Sequence, residues 1–175
     1  MLAHLPPLAG RPISVSFRRG LTAHRGKLVS RAAGRGTAVY AVSFVRQRKI
    51  VFDASLSSDP PRLRFFAVHE VFHFVWTRLG NPKRAEFARL LALELVSGAQ
   101  GELGESSVIS KARLRSRKSP PALQPWRDYV CESFCDTAAW LYAGAGTHGP
   151  VSLAGRWRNR RRSWFTTVFS SPRPC

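Results

Sequence analysis

Acidic residues are scarce in this sequence: 10 Asp and Glu stand against 28 Lys and Arg among 175 residues, for a formal net charge of +18. The three cysteines, Cys131, Cys135 and Cys175, are too few for the disulfide framework of a small secreted domain. No apolar run reaches the roughly 20 residues that a membrane-spanning helix needs. The start of the chain also lacks the cationic and apolar stretches of a secretory signal. We therefore expect a cytoplasmic protein without a membrane span.

Basic residues are abundant, and 23 of the 28 are arginine. Clustered cations attract nucleic acids and other polyanions, although a GC-rich genome also enriches arginine without functional meaning. The densest clusters are Lys111–Lys118 and Arg156–Arg162, and the second includes Trp157 and is followed by Trp164. We expect residues 147–175 to be a basic, Arg/Trp-rich C-terminal tail without regular structure. A nucleic acid or another polyanion is one partner that Arg156–Arg162 would fit.

The length and the apolar content of 44% indicate a single globular domain, which we place at residues 1–146. Strand patterns precede helix patterns along the chain, an order typical of an α+β fold. The predicted strands, which alternate apolar and polar residues, are 13–17, 38–45 and 49–56, with the last two forming a hairpin. The predicted helices, which carry apolar residues at helical spacing, are 61–79, 82–96 and 125–142.

Residues that commonly cap helices support these boundaries. Asp59 can cap the first helix, and Gly80 and Gly98 can end the first and second helices, Gly80 in the left-handed conformation that glycine tolerates. Residues 99–125 are rich in Gly, Ser, Pro and Arg, so we expect a poorly ordered excursion there with a short helix near 107–115.

The segment His69-Glu70-Val71-Phe72-His73 matches the pattern H-E-x-x-H. On a helix, residues four apart lie on one face, so His69 and His73 can bind one metal ion while Glu70 acts as general base. The flanking residues are strongly apolar, and two imidazoles and a carboxylate buried there without partners would be costly. The alternative is a pair of core histidines bonded to backbone, with Glu70 at the surface.

A catalytic zinc site usually has three protein ligands, so a third is needed. Glu132 and Asp136 are four apart on the last predicted helix. Glu132 can therefore ligate while Asp136 accepts the ring N–H of a ligand histidine. The alternative is an exposed acidic stripe that pairs with arginine.

Cys131 and Cys135 lie on the same helix, four residues apart. They could share a soft ion or form a disulfide of poor geometry. Because they are rotated about 100° from Glu132 and Asp136, we expect them to be small buried thiols that face neighbouring packing and not the metal.

The pair of motifs, HEVFH on one helix and ESFCD on a later one, resembles the glutamate zincins (gluzincins), which carry H-E-x-x-H and then E-x-x-x-D. Within them, the sequence is most similar to the compact ImmA/IrrE-like metallopeptidases, over residues 61–80 and 126–143. The resemblance implies a zincin-like fold in which a small antiparallel or mixed N-terminal sheet packs against the HExxH helix and the later glutamate-bearing helix. It also implies the site roles: His69, His73 and Glu132 are the zinc ligands, Glu70 is the catalytic base, and Asp136 orients a ligand.

We therefore expect a zinc-dependent metallopeptidase with a narrow protein substrate. The alternative is a catalytically silent zincin-fold protein that binds a polyanion through its arginine-rich tail. Tyr142 and His148 have the chemistry to stabilise an oxyanion. Either residues 99–125 or the tail could cover the site as a lid.

Overall fold

The computed structural model describes residues 5–24, 27–30, 37–115, 123–144, 151–170 and 173–174. The helices of this part are α1 (Pro60–Arg78), α2 (Asn81–Val96), α3 (Glu105–Arg115), α4 (Leu123–Tyr142) and α5 (Gly155–Val168). Its strands are β1 (Leu8–Ala9), β2 (Ser14–Arg18), β3 (Leu21–His24), β4 (Lys27–Ser30), β5 (Thr37–Ala38), β6 (Ala41–Phe44), β7 (Lys49–Asp53) and β8 (Arg173–Pro174). The predicted α+β class is confirmed.

The sheet nearest to α1 is small and mixed. Its strand order is β2-β7-β6, with β2 parallel and β6 antiparallel to β7. The predicted hairpin is confirmed as β6 and β7, joined by a single 3-10 turn and by Arg48 in the left-handed conformation at φ 49°. Two further small sheets pair β4-β3-β5 and β1-β8.

Helix α1 begins as the sequence predicts, because the Asp59 carboxylate accepts a hydrogen bond from the Arg62 backbone N–H at 3.1 Å. The helix buries one side against the sheet, where Phe74 packs with Ile50 and Phe52. Its end differs from the prediction: Gly80 has φ −55° and precedes α2 as its N-cap, so it is not a left-handed cap. Gly98, at φ 71°, does follow the end of α2 as expected.

The opposite side of α1 packs against α4, with α2 and α5 completing the helical layer. Phe72, Phe134 and Phe165 bring α1, α4 and α5 together in an aromatic core; their ring centroids are 5.0–6.2 Å apart. The absence of regular structure expected for 147–175 is therefore wrong for residues 155–168. That segment is a helix whose apolar residues recur at helical spacing and are buried.

The excursion expected at 99–125 is also more ordered than predicted over its first half. Glu102 and Leu103 are fully buried, and α3 covers the short helix predicted near 107–115. The domain boundary predicted after residue 146 lies outside the described residues. Among the residues that are described, no helix has both the length and the apolar character to cross a bilayer.

Candidate metal centre

The site lies where α1 packs against α4. Residues 69, 70 and 73 are on the inner side of α1, and residues 132 and 136 are on the facing side of α4. The two motifs, which have 58 residues between them, therefore meet in space, with His69 in contact with Glu132 and Asp136. His69 is buried, at 4% exposed, and His73 is half-buried.

Two other candidate ligands, one on each helix, lie close to His69. His69 Nε2 lies 3.2 Å from His73 Nε2 and 3.3 Å from Glu132 Oε2. Imidazole nitrogen and carboxylate oxygen are donors that divalent transition metals accept. The arrangement could thus hold a metal ion between the two helices.

Asp136 fixes the orientation of the first histidine. His69 Nδ1–H donates a 2.8 Å hydrogen bond to Asp136 Oδ1, and the backbone N–H of Ser107 donates to Asp136 Oδ2, also at 2.8 Å. Gly104 leaves room for this carboxylate, because a Cβ at that position would overlap the Asp136 side chain. Asp136 is fully buried, so the alternative of an exposed acidic stripe is wrong for this residue.

The electrostatics of the site favour a cation. Burial lowers the pKa of His69, but hydrogen bonds to Asp136 and Glu132 outweigh it and raise that pKa well above its usual value. Burial raises the pKa of Glu132, and the hydrogen bond and charge of His69 more than reverse this and lower it. The carboxylates thus stabilise positive charge on the ring between them.

The two cysteines of α4 face the site, contrary to expectation. The Cys131 Sγ is 3.5 Å from His73 Nδ1, and ligand atoms of His69, His73 and Cys135 all lie within 4.8 Å of one another. Positions 131, 132, 135 and 136 together span an arc of about 140° on a helix. All four side chains reach the histidines of α1, so the thiols and carboxylates lie on one face of α4. The group formed by the two histidines and Cys135 could therefore also hold a metal ion.

The two thiols differ in environment. Cys131 is half-buried and Cys135 fully buried, and both are free. A hydrogen bond from Cys135 lowers the pKa of Cys131, burial raises it, and His73 lowers it further, for a net value of about 6. Burial is the main reason that the pKa of Cys135 lies well above its usual value.

Glu70 is 6% exposed and lines the same cleft as the two histidines. The alternative that places it at the surface is therefore wrong. The cleft has a volume of about 990 Å³, and its walls are β6 with the residues just before it, the N-terminal half of α1, and α3. Glu70 is thus enclosed beside the converging donors but open to a molecule in the cleft.

The remaining predictions around the site have mixed outcomes. Tyr142 is stacked on Phe72 in the core, with ring centroids 5.6 Å apart, and does not line the cleft. His148 lies outside the described residues. Of the two segments considered as lids, 99–125 supplies a wall of the cleft through α3, whereas α5 is not among the residues that line it.

No family model, curated protein or solved structure matches the chain. The resemblance to gluzincins therefore rests on the two sequence motifs alone.

Proposed function

We propose that this protein is a zinc-dependent metallopeptidase. The observation that carries the proposal is that His69 Nε2 lies 3.2 Å from His73 Nε2 and 3.3 Å from Glu132 Oε2, in a cleft that Glu70 also lines. Their distances also suit zinc: two ligands that each lie about 2.0–2.1 Å from one tetrahedral zinc ion are about 3.3 Å apart. The two separations from His69 Nε2, 3.2 Å to His73 Nε2 and 3.3 Å to Glu132 Oε2, agree with that value.

Bound zinc would supply Lewis-acid chemistry, polarising a carbonyl oxygen and lowering the pKa of water. Side chains of the protein orient the ligands and transfer the protons. Asp136 holds the Nδ1 proton of His69, which leaves Nε2 free to ligate. Glu70 takes a proton from the attacking water and delivers it to the leaving amine nitrogen.

The cleft suits an extended peptide. Strand β6 forms one wall and, among the strands that the structure describes, pairs only with β7, at the edge of its sheet. Extended peptides add to such edges through backbone hydrogen bonds, while pockets of the protein bind every second side chain of the peptide. Ile109 of α3, 43% exposed on the opposite wall, offers one such apolar contact.

Metal binding tests the proposal directly. We expect protein purified without added metal to carry about one equivalent of zinc, measured by elemental mass spectrometry. Glu132→Ala removes a ligand and should weaken zinc binding by more than about 100-fold. Loss of a residue that only hydrogen-bonds to a ligand already costs 10–100-fold in affinity. Chelator competition measures the dissociation constant.

Glu105→Ala is the matched control, since Glu105 is an exposed carboxylate that lines the same cleft from α3. It should bind zinc as the wild type does. Zinc below about a tenth of an equivalent in the wild type, or equal affinity in Glu132→Ala, would contradict the proposed site.

A second candidate function is polyanion binding, favoured by the outer surface of α5. Arg156, Arg160 and Arg162 are exposed there, and α5 contains no acidic residue. The guanidinium groups of Arg156 and Arg160 lie 4.7 and 5.1 Å from the Trp157 ring centroid. Deleting residues 156–175 cannot test this function, because the deletion would also remove core residues.

Substitution of the exposed arginines avoids that problem. We expect a triple variant, R156Q/R160Q/R162Q, to bind a single-stranded DNA probe more weakly in fluorescence anisotropy. The slope of log affinity against log salt should fall by about 2, since each phosphate contact contributes roughly 0.7. The control R18Q/R46Q/R127Q removes three exposed charges elsewhere. Equal weakening in both variants would mean that net charge alone, and not the α5 surface, causes binding.

A further inference from the structure

Each histidine of the metal centre turns its Nδ1 atom towards α4. For His69 the partner is Asp136 Oδ1 at 2.8 Å, and for His73 it is Cys131 Sγ at 3.5 Å. The Nε2 atoms instead face each other, 3.2 Å apart. Helix α4 thus provides one acceptor behind each ring.

The tautomers follow from these partners. An ionised carboxylate only accepts hydrogen bonds, so His69 carries its proton on Nδ1. His73 can ligate through Nε2 only if its own proton is also on Nδ1, and that proton needs an acceptor. The sulfur of Cys131 is the acceptor in contact with it.

We propose that Cys131 is the positioning residue of His73: its sulfur accepts a hydrogen bond from Nδ1–H and holds the ring with Nε2 towards the metal. This inference rests on the proposed zinc site and adds a thiol to the groups that determine its affinity. It also distinguishes the two cysteines, because Cys131 contacts His73 Nδ1 whereas the sulfur of Cys135 lies close enough to both histidines to be a ligand itself.

The competing arrangement has Cys135 as a ligand in place of Glu132. Its sulfur is close enough to both histidines for that role. Thiolate ligation has a spectroscopic signature, since a thiolate bound to Co²⁺ gives an intense charge-transfer band in the near ultraviolet. The absorption spectrum of the Co²⁺-loaded protein therefore shows whether a cysteine sulfur binds the metal or only contacts a histidine ring.

The first test is zinc affinity by chelator competition. Cys131→Ala, which removes the acceptor, should raise the zinc dissociation constant by 10–100-fold, the usual effect of losing such a partner. Cys131→Ser keeps an acceptor and should recover part of the affinity, a rescue that a purely structural role would not give. Ser133→Ala, a change at a buried position on the far side of the same helix, is the matched control and should bind zinc as the wild type does. If Cys131→Ala does not fold, Cys131→Val replaces it as the variant without an acceptor.

The second test determines which nitrogen of each histidine ring is protonated and whether a sulfur binds cobalt. In the zinc-loaded wild type, ¹⁵N spectra should show protonated Nδ1 and metal-bound Nε2 on both histidines. The His73 Nδ1 proton should exchange faster with water in Cys131→Ala. The Co²⁺-loaded wild type should lack a thiolate band.

The outcomes separate this inference from the function on which it rests. Unchanged zinc affinity in Cys131→Ala overturns the role of Cys131 alone. A thiolate band in the wild type that disappears in Cys131→Ser also overturns it, because a sulfur that binds the metal is not the acceptor for His73 Nδ1–H. A wild type that binds neither zinc nor cobalt refutes the proposed function and this inference together.

Discussion

Arg161→Met should lower the free energy of unfolding by about 3–5 kcal/mol, the usual cost of removing one partner from a buried ion pair. Arg161 is completely buried, and its guanidinium group binds Glu94 at 2.6 Å and Glu102 at 3.0 Å. Both glutamates are also buried. The substitution would leave Glu94 as a buried charge without its ion-pair partner. Urea denaturation followed by circular dichroism measures the loss.

Removing Arg161 should destabilise the buried charge of Glu102 less than that of Glu94, because Glu102 has two other partners. Lys111 Nζ lies 2.9 Å from Glu102 Oε1, and the Tyr129 hydroxyl donates to the same oxygen at 2.6 Å. A double variant, Glu94→Gln with Arg161→Met, removes the uncompensated charge and should recover part of the stability.

Arg160→Met is the matched control for the single variant, since Arg160 is exposed on the same helix. Its effect should stay within about 0.5 kcal/mol. A loss below about 1 kcal/mol in Arg161→Met would contradict the view that this ion pair ties α5 to the rest of the fold.

This buried arginine also illustrates what the sequence could not predict. In the run Arg156–Arg162, composition does not distinguish the inward arginine from the exposed ones. Its partners, Glu94 and Glu102, are 67 and 59 residues away in sequence. A signal was nevertheless present: Trp157, Arg161 and Phe165 are spaced by four residues, a helical stripe that includes one charged residue.

The carboxylates and histidines were predictable because their chemistry depends on local spacing. Residues four apart share a helix face whatever the fold, so His69 with His73, and Glu132 with Asp136, could be paired from the sequence. The role of the thiols was not predictable in the same way. Which part of α4 faces α1 depends on how widely the two helices contact each other, and that is a property of tertiary packing.

Glu70→Gln should abolish peptide hydrolysis while leaving zinc binding unchanged. Glutamine keeps the shape of the side chain but cannot take a proton from water, so the rate should fall by about 10²–10⁴-fold, the usual contribution of a general base. Mass spectrometry of a proteome-derived peptide library, incubated with each protein, counts the new termini. Zinc content measured on the same samples shows that the site is still loaded.

Glu105→Gln makes the same chemical change on the opposite wall of the cleft and serves as the control. It should cleave the library at nearly the wild-type rate, because Glu105 has no part in the proposed proton transfer. Equal loss in both variants would mean that the charge of the cleft, and not a base at residue 70, supports hydrolysis. Full activity in Glu70→Gln would remove Glu70 from the mechanism. Loss confined to Glu70→Gln, with zinc retained, would separate proton transfer by Glu70 from metal binding by its neighbours on α1.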